Sequence, residues 1–406
     1  MTIIRGTHDE NTLEQMDRVA ATAAYTALMA DGHRGYVMPI GGVAAYRNKV
    51  SLNGVGVDIA CGNAAIKTNL TTDNFVMDHL PSVADAIVRD IGFGMGSPTN
   101  PTNVYHLRNH PLFESPAWDL IDRKQRGNLM DQARAQLGTV GGGNHYVDVF
   151  AADDDALWVG CHFGSRGFGY RVAHAMTALA QGIDNPWRKE TQREVDMDQH
   201  MILDLDTELG QMYWQLMTLA GEYAYAGRNW VVHQVTSLMG GQVLDKVHNH
   251  HNFAWKEQHF GEDLIVVRKG ATPAFPGQRG FVGGSMGDSS VILRGADPKG
   301  RFQSVHIPQR DNLYSTVHGA GRVMGRMAAK GKWKKGECVR PGLVSRDDMD
   351  GATRGLILRG GDLDEAPQVY RKLADVLEAQ GDTIEVETYL DPLIVCMAPS
   401  RTRRGR

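Results

Sequence analysis

Cysteine is scarce and scattered. Cys61, Cys161, Cys338 and Cys396 are the four in 406 residues, with no CxxC pair, which excludes a disulfide scaffold and zinc-finger spacing and suits a reducing compartment. Long apolar runs are missing too: no stretch approaches the ~18 to 20 residues of a bilayer-spanning helix, and the N-terminus does not read as a signal peptide. A soluble cytoplasmic protein without a membrane partner is expected. Nor is there an excess of positive charge, since the net charge is −4 and the pI about 6.5. An anionic partner must therefore meet a local patch. Two stretches offer one: Arg322, Arg326, Lys330, Lys332, Lys334 and Lys335 around Trp333, and the tail Arg401, Arg403, Arg404 and Arg406. No GxxxxGK[ST] loop occurs, and "GGGN" is not a dinucleotide fingerprint, so neither familiar nucleotide-binding fold is supported.

Internal repeats, low-complexity linkers and shifts of composition are also absent, which points to one large α+β domain over residues 1–406 with a flexible basic tail at 401–406. Within it, "NTLEQMDRVAATAAYTALMADGH" reads as a helix from Asn11 to about Asp31. The glycine and β-branched stretch that follows reads as short strands in tight turns. Leu205, Leu209, Met212, Leu216, Leu219 and Tyr223 step by fours and threes, the stripe by which a long helix meets a core. "LIVVRKGA", "SVILRGA" and "TIEVETYLDPLIVCMA" read as strands, and "APQVYRKLADVLEAQ" as a helix.

What the chain does have is glycine, 47 residues, and histidine, 16. Glycine lets backbone approach a ligand, and histidine is the commonest metal ligand and acid or base. Five polar clusters stand out, four with glycine and four with histidine: "GVGVDIACG" with Asp58 and Cys61, "GGGNHYVDV" with Asn144, His145 and Asp148, "CHFGSRGFG" with His162 and Arg166, "HNHHNFAW" with His248, His250, His251 and Asn252, and "STVHGAGR" with His318. Asp58 and Cys61, three apart, can aim one way as half of a transition-metal site. Taken singly, each of these residues has a bland reading as a capping aspartate, a buried thiol or a core histidine. Together they exceed the needs of one tetrahedral zinc, and a thiolate bridging two ions would use the whole set. Lys269, Ser285 and Ser290 in "RKGATPAFPGQRGFVGGSMGDSS" suit phosphate or ribose recognition.

In this order the motifs resemble the RtcB family of RNA ligases over nearly the whole chain, with "DGH", "VVRKGATPAFPG", "GSMGDSS", "HGAGR" and "DEAPQVYRK" adding to the clusters above. The resemblance implies a single α+β domain around a central metal and nucleotide cleft. It implies joining of RNA 2′,3′-cyclic phosphate or 3′-phosphate ends to 5′-hydroxyl ends, in tRNA splicing or RNA repair, with GTP as co-substrate and two manganese(II) ions. Asp58, Cys61, His145, His162 and His251 then stand as metal ligands with Cys61 as the bridge, and His318 as the guanylylated nucleophile. Asn144, His145, Tyr146, Val147, Asp148, Asn252, Gly283, Gly284, Ser285, Met286, Ser290, His318, Gly319, Ala320, Gly321 and Tyr370 stand as nucleotide contacts, with Tyr370 against the base. Arg166, Lys269 and Arg322 are the candidate phosphate or RNA contacts. Three positions depart from the family pattern: Asp148 for a glutamate, Met397 and Ala398 where the tail usually carries a lysine, and Gly325 for a serine. A divergent paralogue with relaxed or altered nucleotide preference, or with a specialised RNA-repair substrate, is expected. A metal-dependent RNA-end phosphodiesterase that does not ligate, and a silent RNA-end-binding homologue, are the competing readings. The sequence sets no oligomeric state.

Overall fold

The computed structural model describes residues 2–97, 105–297, 308–334 and 337–399, so the basic tail and Lys335 lie outside the described residues. Two sheets make the frame. The smaller has five strands in the order Thr2–Ile4, Tyr25–His33, Ile40–Tyr46, Glu262–Lys269 and Asn252–His259, antiparallel except for the first pair. The larger runs Arg279–Val282, Ser290–Gly295, Ile384–Pro399, Tyr146–Ala152, Ala156–Phe163, Gly62–Thr71 and Val243–His250, with Ile357–Gly361 added in parallel to Ile384–Pro399. Helices pack on these sheets, and the architecture is α+β as the sequence implied.

Strand alternation divides the larger sheet into two apolar faces. Val147, Val149, Val159, Cys161 and Ile66 meet Val231, Val232 and Val235 of the 31-residue helix Glu208–Leu238. Tyr146, Phe150, Trp158 and Val395 face the other way, against Phe281 and Ile292. Asp148 shares this second face by its even position. The helix Glu208–Leu238 is capped by Thr207, whose Oγ1 accepts from the Gly210 N–H at 3.1 Å. Its expected stripe holds, with Leu216, Leu219 and Tyr223 buried and Leu209 and Met212 partly so, while Leu205 is buried just ahead of the first turn.

Two sequence expectations give way. The N-terminal helix covers Glu10–Ala20, and the rest of that stretch is the strand Tyr25–His33. A strand inside a sheet is apolar on both faces, and a continuous apolar run carries no period that separates it from a buried helix. Likewise "APQVYRKLADVLEAQ" is helical over Leu373–Gln380 alone, preceded by a single 3₁₀ turn at Pro367–Val369. Tyr370 between them is extended and bridges to Arg322.

Lys269 ends the strand Glu262–Lys269 and is buried, its Nζ donating to the Asn53 carbonyl at 3.2 Å. Burial disfavours the ammonium and lowers its pKa from the ordinary 10.5 to about 8. The protonated lysine therefore opposes folding below that value, and the penalty is relieved as pH rises from about 8 to 10.5. Urea unfolding at the two ends of this window is expected to show the wild type gaining on the order of 3 kcal/mol relative to Lys269→Met. Parallel pH profiles for the two proteins would refute the burial penalty.

Candidate active site

The register of the larger sheet gathers the histidine and cysteine clusters. Tyr146 pairs with His162, and Gly62 pairs with both Phe163 and His250, so the residues at these strand ends share one end of the sheet. Cys61 lies just before one strand, His145 just before another, and His162 near the end of a third. His251 is the single residue between Val243–His250 of the larger sheet and Asn252–His259 of the smaller. The Cys61 carbonyl accepts from the His251 N–H at 2.8 Å and the Asn252 N–H at 3.3 Å.

Two triads result, and both contain Cys61. The ligand atoms of Cys61, His162 and His251 lie within 4.8 Å of one another, as do those of Asp58, Cys61 and His145. The Cys61 Sγ is 3.2 Å from His162 Nε2 and 3.5 Å from His145 Nε2, and His145 Nε2 is 3.0 Å from Asp58 Oδ2. Burial holds the His162 and His251 imidazoles well below their ordinary pKa, so both are neutral with lone pairs to give. Burial also opposes ionisation of Asp58, but the bond and charge of His145 outweigh it and hold the carboxyl below its ordinary range. Burial and the Asp58 charge push the Cys61 thiol up, with Arg228 pulling the other way. Nδ1 of His251 and Nδ1 of His145 are buried without a hydrogen-bond partner among the described residues. A buried polar atom left unpaired is costly, and a set of thiol, imidazole and carboxylate donors at this spacing fits divalent transition ions.

His318 stands beside this cluster, its ring 4.8 Å from that of His251. The fully buried Asp31 fixes it: Oδ2 accepts from the His318 N–H at 3.0 Å and lies 2.6 Å from His318 Nδ1. A carboxylate there requires the proton on Nδ1, which leaves Nε2 as the lone-pair nitrogen. The turn after His318 needs glycine at 321, where φ is +71° and a Cβ would stand 2.5 Å from the Asp31 carbonyl oxygen. Both features face a cleft of about 290 Å³ that also reaches Tyr146, Asp148, Met286, Tyr370, Val395 and Met397.

The match to known proteins follows this geometry. The family model described as "tRNA-splicing ligase RtcB" covers residues 12–398. The chain belongs to the RtcB family. It is 29% identical over 397 residues to the RNA-splicing ligase RtcB of Escherichia coli (strain K12), covering 92% of this chain and 90% of that protein. It is 27% identical over 479 residues to the tRNA-splicing ligase RtcB of Thermococcus kodakarensis, covering 99% and 93%. With the tRNA-splicing ligase RtcB of Archaeoglobus fulgidus it shares 28% over 442 residues, covering 91% and 87%. No helix among the described residues is long and apolar enough to cross a membrane.

Against that RtcB frame, the structure brings together Asp58, Cys61, His145, His162, His251 and His318, with Asn144, Asn252, Gly283, Gly284, Ser285, Met286, Gly319, Ala320, Gly321, Arg322 and Tyr370 on the same walls. Several expected contacts do not line it. Val147 is packed in the core on the far face, and Ser290 Oγ supports the turn by accepting from the Gly284 N–H at 3.1 Å. Arg166 lies behind His145, donating to Thr139 Oγ1 at 3.0 Å and the Gly94 carbonyl at 2.9 Å, and Lys269 turns to Asn53. Arg322 is at the wall, but its donors go to Met324 O, Asp364 O, Glu365 and the Tyr370 hydroxyl. Sequence reasoning missed Asp31 and Glu365, and placed Arg326 only in a basic patch and not at the wall of this cleft. Asp31 was hidden inside a stretch read as a helix, although "DGH" was noticed, and Glu365 is the acid that Tyr370, Arg322 and Arg326 all bind.

Gly164, which follows the strand carrying His162, has no room for a side chain, since a Cβ would stand 2.1 Å from Asp58 Oδ1 and 3.0 Å from the Cys61 nitrogen. Gly164→Ala is expected to stay folded by circular dichroism yet bind cobalt(II) about 10 to 100-fold more weakly, by calorimetric titration. Unchanged affinity would show that Asp58 is not a ligand.

Proposed function

We propose that this RtcB-family RNA ligase joins RNA 2′,3′-cyclic phosphate or 3′-phosphate ends to 5′-hydroxyl ends, with GTP as co-substrate and two manganese(II) ions, through GMP carried on His318. The observation that supports this most directly is a histidine with its Nδ1 held by a buried carboxylate and its other nitrogen free, beside two metal-type triads that share one thiol. Asp58, Cys61 and His145 would hold one ion, and Cys61, His162 and His251 the other. Bound there, the ions supply charge neutralisation for the triphosphate and for its pyrophosphate leaving group.

The protein's own part follows from its geometry. His318 Nε2 attacks the α-phosphorus of GTP; a P–N bond forms, the bond to pyrophosphate breaks, and the imidazolium so produced is offset by Asp31. Backbone N–H groups of the glycine-alanine-glycine turn approach the phosphate without a Cβ in the way. GMP then passes to an RNA 3′-phosphate, arising from a cyclic end once water has opened it, and an RNA 5′-hydroxyl displaces GMP to complete the phosphodiester. Tyr146, Asp148 and Tyr370 form the base end. Burial pushes the Asp148 carboxyl well above its ordinary range, and its Oδ1 has no partner, so a base edge with N–H donors would satisfy it. Met397 beside it offers no polar group, and each hydrogen bond a base site forgoes removes about 1 to 3 kcal/mol of discrimination. GTP is therefore preferred over ATP by a narrow margin.

Protein incubated with manganese(II) and α-labelled GTP, and separately with labelled ATP, is expected to take up an acid-labile, base-stable label that His318→Ala abolishes. Asp31→Asn should slow the labelling about 10 to 100-fold while the protein stays folded, since it removes the charge that orients the ring. Absence of label with either nucleotide from metal-loaded protein would favour the cyclic-phosphate phosphodiesterase instead. In this reading the cellular compartment is the cytoplasm, and the RNA is one cut in tRNA splicing or broken and under repair.

A further inference from the structure

"HNHH" holds three histidines, of which the ligand set uses one. Arg228, on the helix Glu208–Leu238, accounts for the other two. Its side chain is fully buried and, among the described residues, is bonded to no carboxylate. Instead the guanidinium reaches four uncharged acceptors. Nε donates to His248 Nε2 at 3.0 Å, Nη1 to the Ala60 carbonyl at 2.9 Å and the Phe163 carbonyl at 2.6 Å, and Nη2 meets His250 Nδ1 at 2.8 Å. The Tyr225 ring packs on His250 at 3.8 Å and on His248 at 4.3 Å, closing the far side.

Three of these acceptors are chain neighbours of metal-type ligands: Ala60 precedes Cys61, Phe163 follows His162, and His250 precedes His251. Those ligands make up one whole triad. They come from a loop, a strand end and a junction between sheets, so their mutual spacing depends on what ties the three segments together. Ala60 is also held in the left-handed region, with φ +60°, a strained conformation that a non-glycine residue keeps only where its surroundings over-determine it. Arg228 bonds its carbonyl, while the Asn252 carbonyl accepts its N–H at 2.7 Å.

We propose that Arg228 is a positioning residue that sets the spacing of Cys61, His162 and His251 for a divalent transition ion, with His248 and His250 serving as its acceptors and not as ligands. This rests on the metal-dependent reading of the site. A planar fork with five donors holds acceptors in several fixed directions at once, which a lysine ammonium on a flexible stem does not. A buried cation without a carboxylate is expensive, and an apolar side chain would fill the space at less cost to stability. Its location behind the triad gives the charge a use: it acts electrostatically on the one thiol shared by both triads, in the sense that favours the thiolate.

The test uses the full chain with manganese(II), followed by electron paramagnetic resonance of the free ion, and with cobalt(II), whose charge-transfer band reports bonding to the Cys61 thiolate. Arg228→Lys, which keeps the charge, is expected to weaken manganese binding about 10 to 100-fold and to diminish the cobalt band in the folded fraction. A residue that served stability alone would lower the melting temperature and leave that band unchanged. His250→Leu removes one acceptor and is expected to weaken binding in the same sense, whereas His250→Asn, whose Oδ1 takes the place of Nδ1, should bind as the wild type does. This pair decides the matter if Arg228→Lys does not fold. Wild-type affinity and band in folded Arg228→Lys, or in His250→Leu, would overturn the inference alone. A wild-type protein that binds neither ion would overturn the metal-dependent reading and this inference with it.

Discussion

The Cys61 carbonyl accepts the N–H groups of both His251 and Asn252, and the cleft depends on that one acceptor. It binds the single residue between the two sheets and the first residue of the smaller sheet's strand Asn252–His259, so the two sheets meet at a fixed point beside the thiol. From there the antiparallel register does the rest. Gly62 pairs with Phe163 on one side and His250 on the other, and Tyr146 pairs with His162. Ligands more than eighty residues apart therefore reach one locus through backbone bonds, before any side chain interacts. The smaller sheet contributes the other partner, because Asp31 on its strand Tyr25–His33 is what His318 binds.

Charge is distributed around that point in a consistent way. His162 and His251 are kept neutral by burial, so they are lone-pair donors and not competitors for a cation. The basic stretch after His318 is turned to a different use. Arg322, Arg326 and Lys330 pair with Asp362, Asp364 and Glu365, of which Asp364 and Glu365 are buried. Such a network adds little net stability, since desolvation offsets most of the attraction. Its consequence is geometric: Glu365 and Arg322 both hold the Tyr370 hydroxyl, and the Arg322 guanidinium lies over the Tyr370 ring at 5.0 Å. An arginine that reads as a phosphate contact in the sequence thus acts in the structure as the clamp on an aromatic wall.

The site was more legible than the fold around it, for a physical reason. Glycine near histidine, aspartate or cysteine marks close approach of backbone to a reactive group wherever it falls, so Asp58, Cys61, His145, His162 and His318 could be picked out without knowing which strands carried them, whereas His251 was told from His248 and His250 only by the family resemblance. The long amphipathic helix was legible because half of it faces a core and half faces water. The strand Tyr25–His33 was not, because burial on both faces erases the period that distinguishes strand from helix, and Asp31 was lost with it. Arg166 and Lys269 were misdirected by their type: a cation in a glycine-rich motif suggests an anion, yet both are turned to backbone carbonyls or hydroxyls inside the protein. Sequence spacing carries no information on which way a long side chain turns.

The two ends of the cleft are also built to tolerate change differently. At the cysteine and histidine end, Cys61, His162 and His251 are each flanked by a residue bonded to Arg228, namely Ala60, Phe163 and His250, so an exchange there displaces its neighbours. At the base end the wall is a regular antiparallel ladder in which Tyr146 pairs with Met397 and Asp148 with Val395. A ladder is held by main-chain bonds that are indifferent to the side chains they carry. Aspartate for glutamate, or methionine for lysine, changes the side chains the wall presents to the cleft without moving the strands. The irregularity that such a long strand needs falls several residues away, between Pro392 and Ile394, where a proline cannot donate to the ladder. The departures of this chain from its family pattern at Asp148 and Met397 lie where the architecture permits them, while the thiol, the three imidazoles and His318 lie where it does not.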